Sequence, residues 1–533
     1  MSNYLQTQSG SNAGAETTTH PASVRGRSLR SLALMAALGV VTVADARDWP
    51  MWGGTPARNM VTQAKGIPDD IVSGKFLPKS ETIDPKTTKN IRWIAKLGSQ
   101  TYGTPVVAGG RVYSGTNNES PRDPKQIGDR GVLMCFDEKT GDLLWQLIIP
   151  KMGAGKVSDW EYVGLCSSAS IDGELGYVVT NRGELVCFDV NGLANGNDGD
   201  FKDEAKFSSV DGKPVELTNK SADIIWVSDI RTELGIFPHN VSSCSPLVLG
   251  DKIFVATSNG VDWSHLNIPA PFAPALIAVD KKTGKVLAEE ASGVSQRVLH
   301  ASWSSAAFTT VNNKPMIVWG GGDGFAYGFD PVPYQHKDGF PALKELFRYD
   351  ANSPEYRTKN GAPMKYATHD GPSEIIATVV VDKDRAYMAI GQDPEHGDGV
   401  GMLSCLDLTK TGDLTGKAVW VNKDIGRTIS TPSVDGDLIY QAEYNGNIHC
   451  IDAKTGKQLW VYATNSRIWS STLVADGKVY CGNEDGELVI LKAGREMKLI
   501  GKPEFFTPIY CSPVIANDVL YVATQTHLFA IGK

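Results

Sequence analysis

Residues able to do chemistry gather in a few short stretches of this chain. One stretch, "DPEHGDG" at 393–399, places Asp393, Glu395, His396 and Asp398 close together. Carboxylate oxygens at such spacing can hold a hard cation such as Ca²⁺. The order is not that of an EF-hand loop, and a polar hairpin tip is the simpler reading. A larger set stands just ahead of recurring apolar segments: Tyr102, His239, Asn240, His300, Trp303, His369, Asp370, Glu374, Arg427, Arg467, Trp469 and Tyr510. Aromatic platforms beside acids, two Arg and three of the nine His suit a small polar ligand or a protein partner. Each member also has a plain structural reading. Trp303 and Trp469 could fill a wall, and the charges could be solvated or paired.

Familiar catalytic signatures are absent. No G-x-S-x-G, H-E-x-x-H or C-x-x-C-H occurs, and no two cysteines are adjacent. "GGGDGFAYG" at 320–328 is glycine-rich but joins two strands, so no helix N-terminus follows to cradle a phosphate. The net charge of −8 and the lack of any Lys/Arg-rich run argue against a nucleic-acid partner.

The elements that must position these residues recur. "TPVVAGGRVYSG" begins at Thr104. Related phrases begin at Ser168, Ser245, Ser305, Thr378, Thr431, Ser471 and Ser512. Each reads as two short strands, A and B, joined by a tight turn. A second phrase, "FDEKTGDLLW" at 136–145 and "IDAKTGKQLW" at 451–460, reads as strand C, an Asp-capped turn with glycine at positive φ, and strand D. The Trp of strand D is expected to wedge between neighbouring sheets. Four short strands repeating about every 40 residues predict propeller blades. The eighth unit stops after strand C, while "NIRWIAKLG" at 90–98 is a strand D with nothing before it. The expected fold is therefore all-β: an eight-bladed β-propeller of four-stranded antiparallel blades, its ring closed by the N-terminal strand. Insertions at 116–131, 258–274 and 391–401 (B to C) and at 151–165, 231–242 and 350–374 (D to A) fall on one face. Two more, 191–222 and 330–344, fall on the other. The loop-rich face is the expected binding face.

The phrase D-x-K-T-G-x-x-x-W resembles the repeat of pyrroloquinoline-quinone (PQQ) propellers, over about 92–533. That superfamily includes quinoprotein alcohol dehydrogenases and the assembly lipoprotein BamB. "DWPMWGG" at 48–54 also resembles the opening of secreted bacterial members. The resemblance implies either a binding propeller or a PQQ- and Ca²⁺-dependent dehydrogenase of an alcohol or sugar, with a BamB-like scaffold as a third reading. The family's enzymes hold PQQ between a Trp and a vicinal disulfide, with an Asp base, and this chain has no such Cys pair. The repeat is a packing motif and does not choose between these roles.

Residues 1–46 read as a Sec-type signal peptide, with Arg25, Arg27 and Arg30, an apolar run at 32–44, and "ADA" ahead of the cleavage point. The run is too short to span a bilayer. Residues 47–89 are expected to be an extension packed on the propeller, and 90–533 the propeller itself. The mature chain is expected in the periplasm or outside the cell, as a monomer with no transmembrane segment. There are eight Cys. Cys135, Cys187, Cys405 and Cys450 fall at equivalent repeat positions, too far apart to pair, and read as buried apolar residues.

Overall fold

The turn chemistry written in the repeat is what shapes each unit. In "IDAKTG" the Asp452 carboxylate accepts from the Thr455 N–H at 3.0 Å, and Gly456 takes φ of +71°. Asp137 and Asp280 cap the equivalent turns in the same way. The strands that these turns join pair in chain order. Ser433–Asp435, Leu438–Ala442, Asn447–Asp452 and Gln458–Ala463 form one antiparallel four-stranded meander. The computed structural model describes residues 48–533, all within one compact unit, and the segment 1–46, expected to be a signal peptide, lies outside the described residues. The molecule is all-β in its main sheets. Six sheets are four-stranded, and a nine-stranded sheet holds two further meanders together with Gly412–Asp413.

Neighbouring meanders share their cores. Tyr440, Cys450 and Trp460 of one pack with Val474, Val479, Cys481 and Leu491 of the next. The strand D Trp does two jobs. Its ring covers the turn glycine of the following unit, where a Cβ on Gly456 would come within 2.5 Å of Trp420. Its indole N–H donates to a carbonyl of that unit. Trp145 reaches Val190, Trp420 reaches Ala453, and Trp460 reaches Gly494, each at 2.9 Å. Trp93, from the N-terminal strand, reaches Glu138 at 2.8 Å in the same manner. That strand, Ile91–Lys96, pairs antiparallel with His527–Ile531 and completes the sheet of the last unit. All eight cysteines are free, and the four at repeat positions are buried.

The residue that opens each repeat carries a hydroxyl, and these hydroxyls link unit to unit. The N–H of Ser168 donates to Ser245 Oγ (3.1 Å), that of Ser245 to Ser305 Oγ (2.9 Å), and that of Thr378 to Thr431 Oγ1 (3.1 Å). The series runs on from Thr431 to Ser471 (2.9 Å), Ser471 to Ser512 (2.8 Å) and Ser512 to Thr104 (3.1 Å). Ser168 Oγ donates to the Thr104 carbonyl, and Ser304 Oγ to that of Ala377. Under this belt lies the segment 48–61. Its Trp49, Pro50, Pro56, Ala57 and Met60 bond with Val107, Ile171, Phe308, Val381 and Val474, each in or beside a different innermost strand. Arg58 is fully buried there and donates to the carbonyls of Ala306, Trp52 and Pro246.

The insertion 330–344 is strand over most of its length. It extends strands Phe325–Gln335 and Pro341–Asp350 into a long hairpin that also pairs in parallel with Val286–Glu290. Prolines such as those of "DPVPY" fit a strand only at an irregularity, and the register shift between Phe329 and Pro333 supplies it.

Candidate functional site

The hydroxyl belt is the floor of a cavity of about 390 Å³. Thr104, Ser168, Ser245, Ser305, Thr378, Thr431, Ser471 and Ser512 all line it, as does Trp52, whose indole N–H donates to Thr378 Oγ1 at 2.9 Å. Seven of these hydroxyls accept a bond from an N–H. One wall is aromatic. Trp469 and Tyr510 stack with ring centres 4.4 Å apart, and Tyr102 stacks on Tyr510 at 5.5 Å. The Tyr510 hydroxyl donates to Glu484, and burial pushes its pKa, like that of Tyr102, above the ordinary tyrosine range. The other wall carries Trp303, Trp160, Asn240, Asp393 and Glu395. Among the described lining residues, two buried polar atoms are left without a partner, the Trp469 indole N–H and Asn240 Oδ1.

Behind that second wall lies a histidine cluster. Three loops carry it, and backbone bridges Pro238–Asn259 and Gly260–Ala301 tie them together. The N–H of Val261 also donates to the His300 carbonyl at 2.9 Å. Gly260 permits the close approach: a Cβ there would stand 2.4 Å from the His300 oxygen and 2.7 Å from His239 Cβ. The result sets His239 Nε2 and His265 Nε2 3.1 Å apart, with the His239 and His300 ring centres separated by 4.4 Å. His396 stacks on His300 at 4.8 Å. Nδ1 of His239 meets the Val261 carbonyl at 2.6 Å and so carries the proton, leaving Nε2 with its lone pair. Burial lowers the basicity of His239, to about 3, and of His300, while it raises the Glu374 carboxyl to about 8. Burial thus disfavours the charged form of both partners in the 3.6 Å contact of His300 Nδ1 with Glu374.

The structure sorts the residues that the sequence singles out. Tyr102, Asn240, Trp303, Trp469 and Tyr510 line the cavity. His239, His300 and Glu374 are buried in the cluster beside it. Arg427 is not on the rim. It is buried and clamps two loops, donating to Gln392 Oε1 at 3.0 Å and to the carbonyls of Thr368 and His369 at 2.9 and 3.0 Å. His369 and Asp370 are exposed and bond each other away from the cavity, and exposed Arg467 covers the Tyr444 ring. Asp393, Glu395, His396 and Asp398 do not converge as one ligand set. Asp393 caps the Glu395 N–H and accepts from Asn240, His396 meets Gln392, and Asp398 is exposed. Sequence reasoning misses His265. Its signal is its place in the 258–274 insertion, on the same face as His239 and His300.

The family model described as outer membrane protein assembly factor BamB matches residues 83–286 and 401–495, more than half of the chain. The chain belongs to this family of PQQ-repeat propellers. This PQQ-repeat propeller is 24% identical over 460 residues to the dehydrogenase subunit of a quinone alcohol dehydrogenase from Komagataeibacter europaeus, covering 78% of this chain and 56% of that one. It is 31% identical over 139 residues to the quinoprotein alcohol dehydrogenase PedE of Pseudomonas putida, 23% of this chain and 21% of the other. The match thus spans from about a fifth to about half of these relatives' own length. Among solved structures, BamB from Moraxella catarrhalis aligns at 12% identity over 83% of this chain and 96% of its own, with a TM-score of 0.49. No helix among the described residues is long and apolar enough to cross a membrane.

Proposed function

We propose that this chain is an exported, monomeric, eight-bladed propeller, closed by strand Ile91–Lys96 with 47–89 packed on it, that binds a small neutral polyhydroxylated ligand in the cavity. The cavity lining carries this reading. It offers a floor of hydroxyls, stacked aromatic rings and two carboxylates, with no Lys or Arg among its described lining residues. Aromatic faces suit the C–H faces of a sugar ring, and hydroxyls and amides suit its O–H groups. An anionic ligand would meet Asp393 and Glu395 with no cation to offset them. Calorimetric titration with neutral mono- and disaccharides, and with a sugar phosphate as control, tests this. Trp469→Ala and Tyr510→Ala should each weaken neutral saccharide binding by about tenfold or more. Preference for the phosphate, or no saccharide binding at about 1 mM, overturns the reading.

The relatives named as quinone-dependent alcohol dehydrogenases favour a second reading, oxidation of an alcohol or sugar. Its cofactor is a poor match. PQQ is a planar tricarboxylate, and this lining supplies aromatic faces but negative charge, with Cys166 the single lining cysteine. The residues present do not fit the group. No uptake of PQQ is expected at about 100 µM, a concentration well above the micromolar end of enzyme Michaelis constants. Uptake with Ca²⁺ accompanied by dye reduction would favour the dehydrogenase instead.

A further inference from the structure

Saccharide binding makes no use of the histidine cluster. Among the described residues, the His, Cys, Asp and Glu side chains that come within ligand reach as a group of three are His239, His265 and His300, with their candidate ligand atoms within 4.8 Å of one another. A hydrogen bond between His239 and His265 would explain that pair alone. His300 is 1% exposed, yet neither ring nitrogen has a hydrogen-bond partner. Glu374 is 0% exposed, and neither of its oxygens has one. Leaving such groups dry and unpaired is costly to the folded state. Native interiors retain them where an ion or water completes the site.

We propose that His239, His265 and His300 form a three-imidazole site for a divalent first-row transition-metal ion, zinc in the first instance, beside the cavity. The Nε2 atoms of His239 and His265 are already 3.1 Å apart. Metal–nitrogen bonds of about 2.0–2.1 Å in a tetrahedron require about 3.3 Å. His300 closes the set by a side-chain adjustment, and its ring lies 5.0 Å from that of Trp303 on the cavity wall. Metal-binding histidines usually turn the far nitrogen to a carbonyl or carboxylate. Val261 O holds Nδ1 of His239 at 2.6 Å, and the Glu374 carboxyl faces Nδ1 of His300 at 3.6 Å, just beyond hydrogen-bond length. This leaves Nε2 of each free to ligate. Imidazole donors select zinc, copper or nickel over Ca²⁺ and Mg²⁺, which take oxygen ligands. Three protein ligands leave a fourth position open, as in sites where the metal acts on a bound water or substrate. Asp393, which lines the cavity and bonds Asn240, adds favourable negative charge nearby.

The test uses the full chain, stripped with chelator and then titrated with Zn²⁺, and separately with Co²⁺. One equivalent of Zn²⁺ should bind and raise the melting temperature. Co²⁺ should give visible d–d bands that an equivalent of Zn²⁺ abolishes and Ca²⁺ does not. His265 is partly exposed on its loop, so His265→Ala should fold and lose binding by about 100-fold or more. Glu374→Gln, which keeps the shape of the side chain, should weaken it by about 10–100-fold. His336→Ala, on the distant hairpin, should bind as the parent does. If the parent takes up no Zn²⁺ at about 100 µM, the site does not exist. Unchanged affinity in His265→Ala would likewise overturn the assignment and place the ion elsewhere.

Discussion

Single residues in this protein are held in places that water does not reach, and Glu290 shows the consequence for its charge. Its carboxylate accepts from the backbone N–H groups of Ser292 at 2.7 Å and Ala275 at 3.3 Å. Those bonds favour the charged form, but burial outweighs them and pushes the carboxyl up to about 7. In the unfolded chain the same group titrates near 4.5. Between those values the folded state holds the extra proton, so stability falls as pH rises through the window and levels off above it. Glu290→Gln removes the titration. Compared with the parent, the variant should gain in unfolding free energy, read by chemical denaturation, on going from about pH 5 to about pH 8, by up to ~3 kcal/mol. Every other acid is common to the two proteins, so a difference that is flat with pH would show that Glu290 does not titrate in this range. Arg427 belongs to the same class of buried charge. Its place ahead of a strand suggests a rim residue, and nothing in the sequence shows that carbonyls surround it.

At the level of the element, the repeat is legible because each part of it has one physical job. Asp caps the turn, glycine takes positive φ, and Trp seals the gap to the next unit, so composition and spacing specify the local geometry together. Trp93 is the instructive case, since it stands at the start of the chain and serves a turn made by Asp137–Gly141. If it is equivalent to the internal copies, Trp93→Ala and Trp460→Ala should cost the same, about 3–5 kcal/mol each by chemical denaturation. A loss below ~1 kcal/mol for Trp93→Ala alone would make the N-terminal strand an ornament on the last sheet. The illegible parts lie where elements meet without a periodic signal. The segment 330–344 is visible in the sequence only as an insertion, because the strand irregularity that admits Pro331 and Pro333 leaves no mark in composition. His265 is invisible for a related reason. Its loop is long and irregular, and only the bridges to the loops of His239 and His300 bring it to them. The hydroxyl that opens each repeat is visible as a small residue, but its bond to the next unit depends on the curvature of the whole.

Across the whole described molecule, the hydroxyl belt and the segment beneath it work as one device. The belt links successive units through short, buried bonds, and the segment 48–61 touches six of the innermost strands from below while Trp52 enters the cavity floor. A chain starting at residue 62 would lose that segment but keep strand Ile91–Lys96. It should remain monomeric by size-exclusion chromatography and unfold at lower denaturant, because Arg58, Trp49 and Met60 no longer fill the space under the belt. Saccharide binding should weaken too, since Trp52 no longer shapes the floor. A chain starting at residue 98 would lose the strand as well, and His527–Ile531 would become an open edge with unpaired N–H and C=O groups. Such edges recruit other strands, so this chain should form dimers and larger species at concentrations where the first stays single. Light scattering on the two proteins separates the outcomes. If both are monomeric and equally stable, the pairing of Ile91–Lys96 with His527–Ile531 contributes nothing to stability or to protecting that sheet edge.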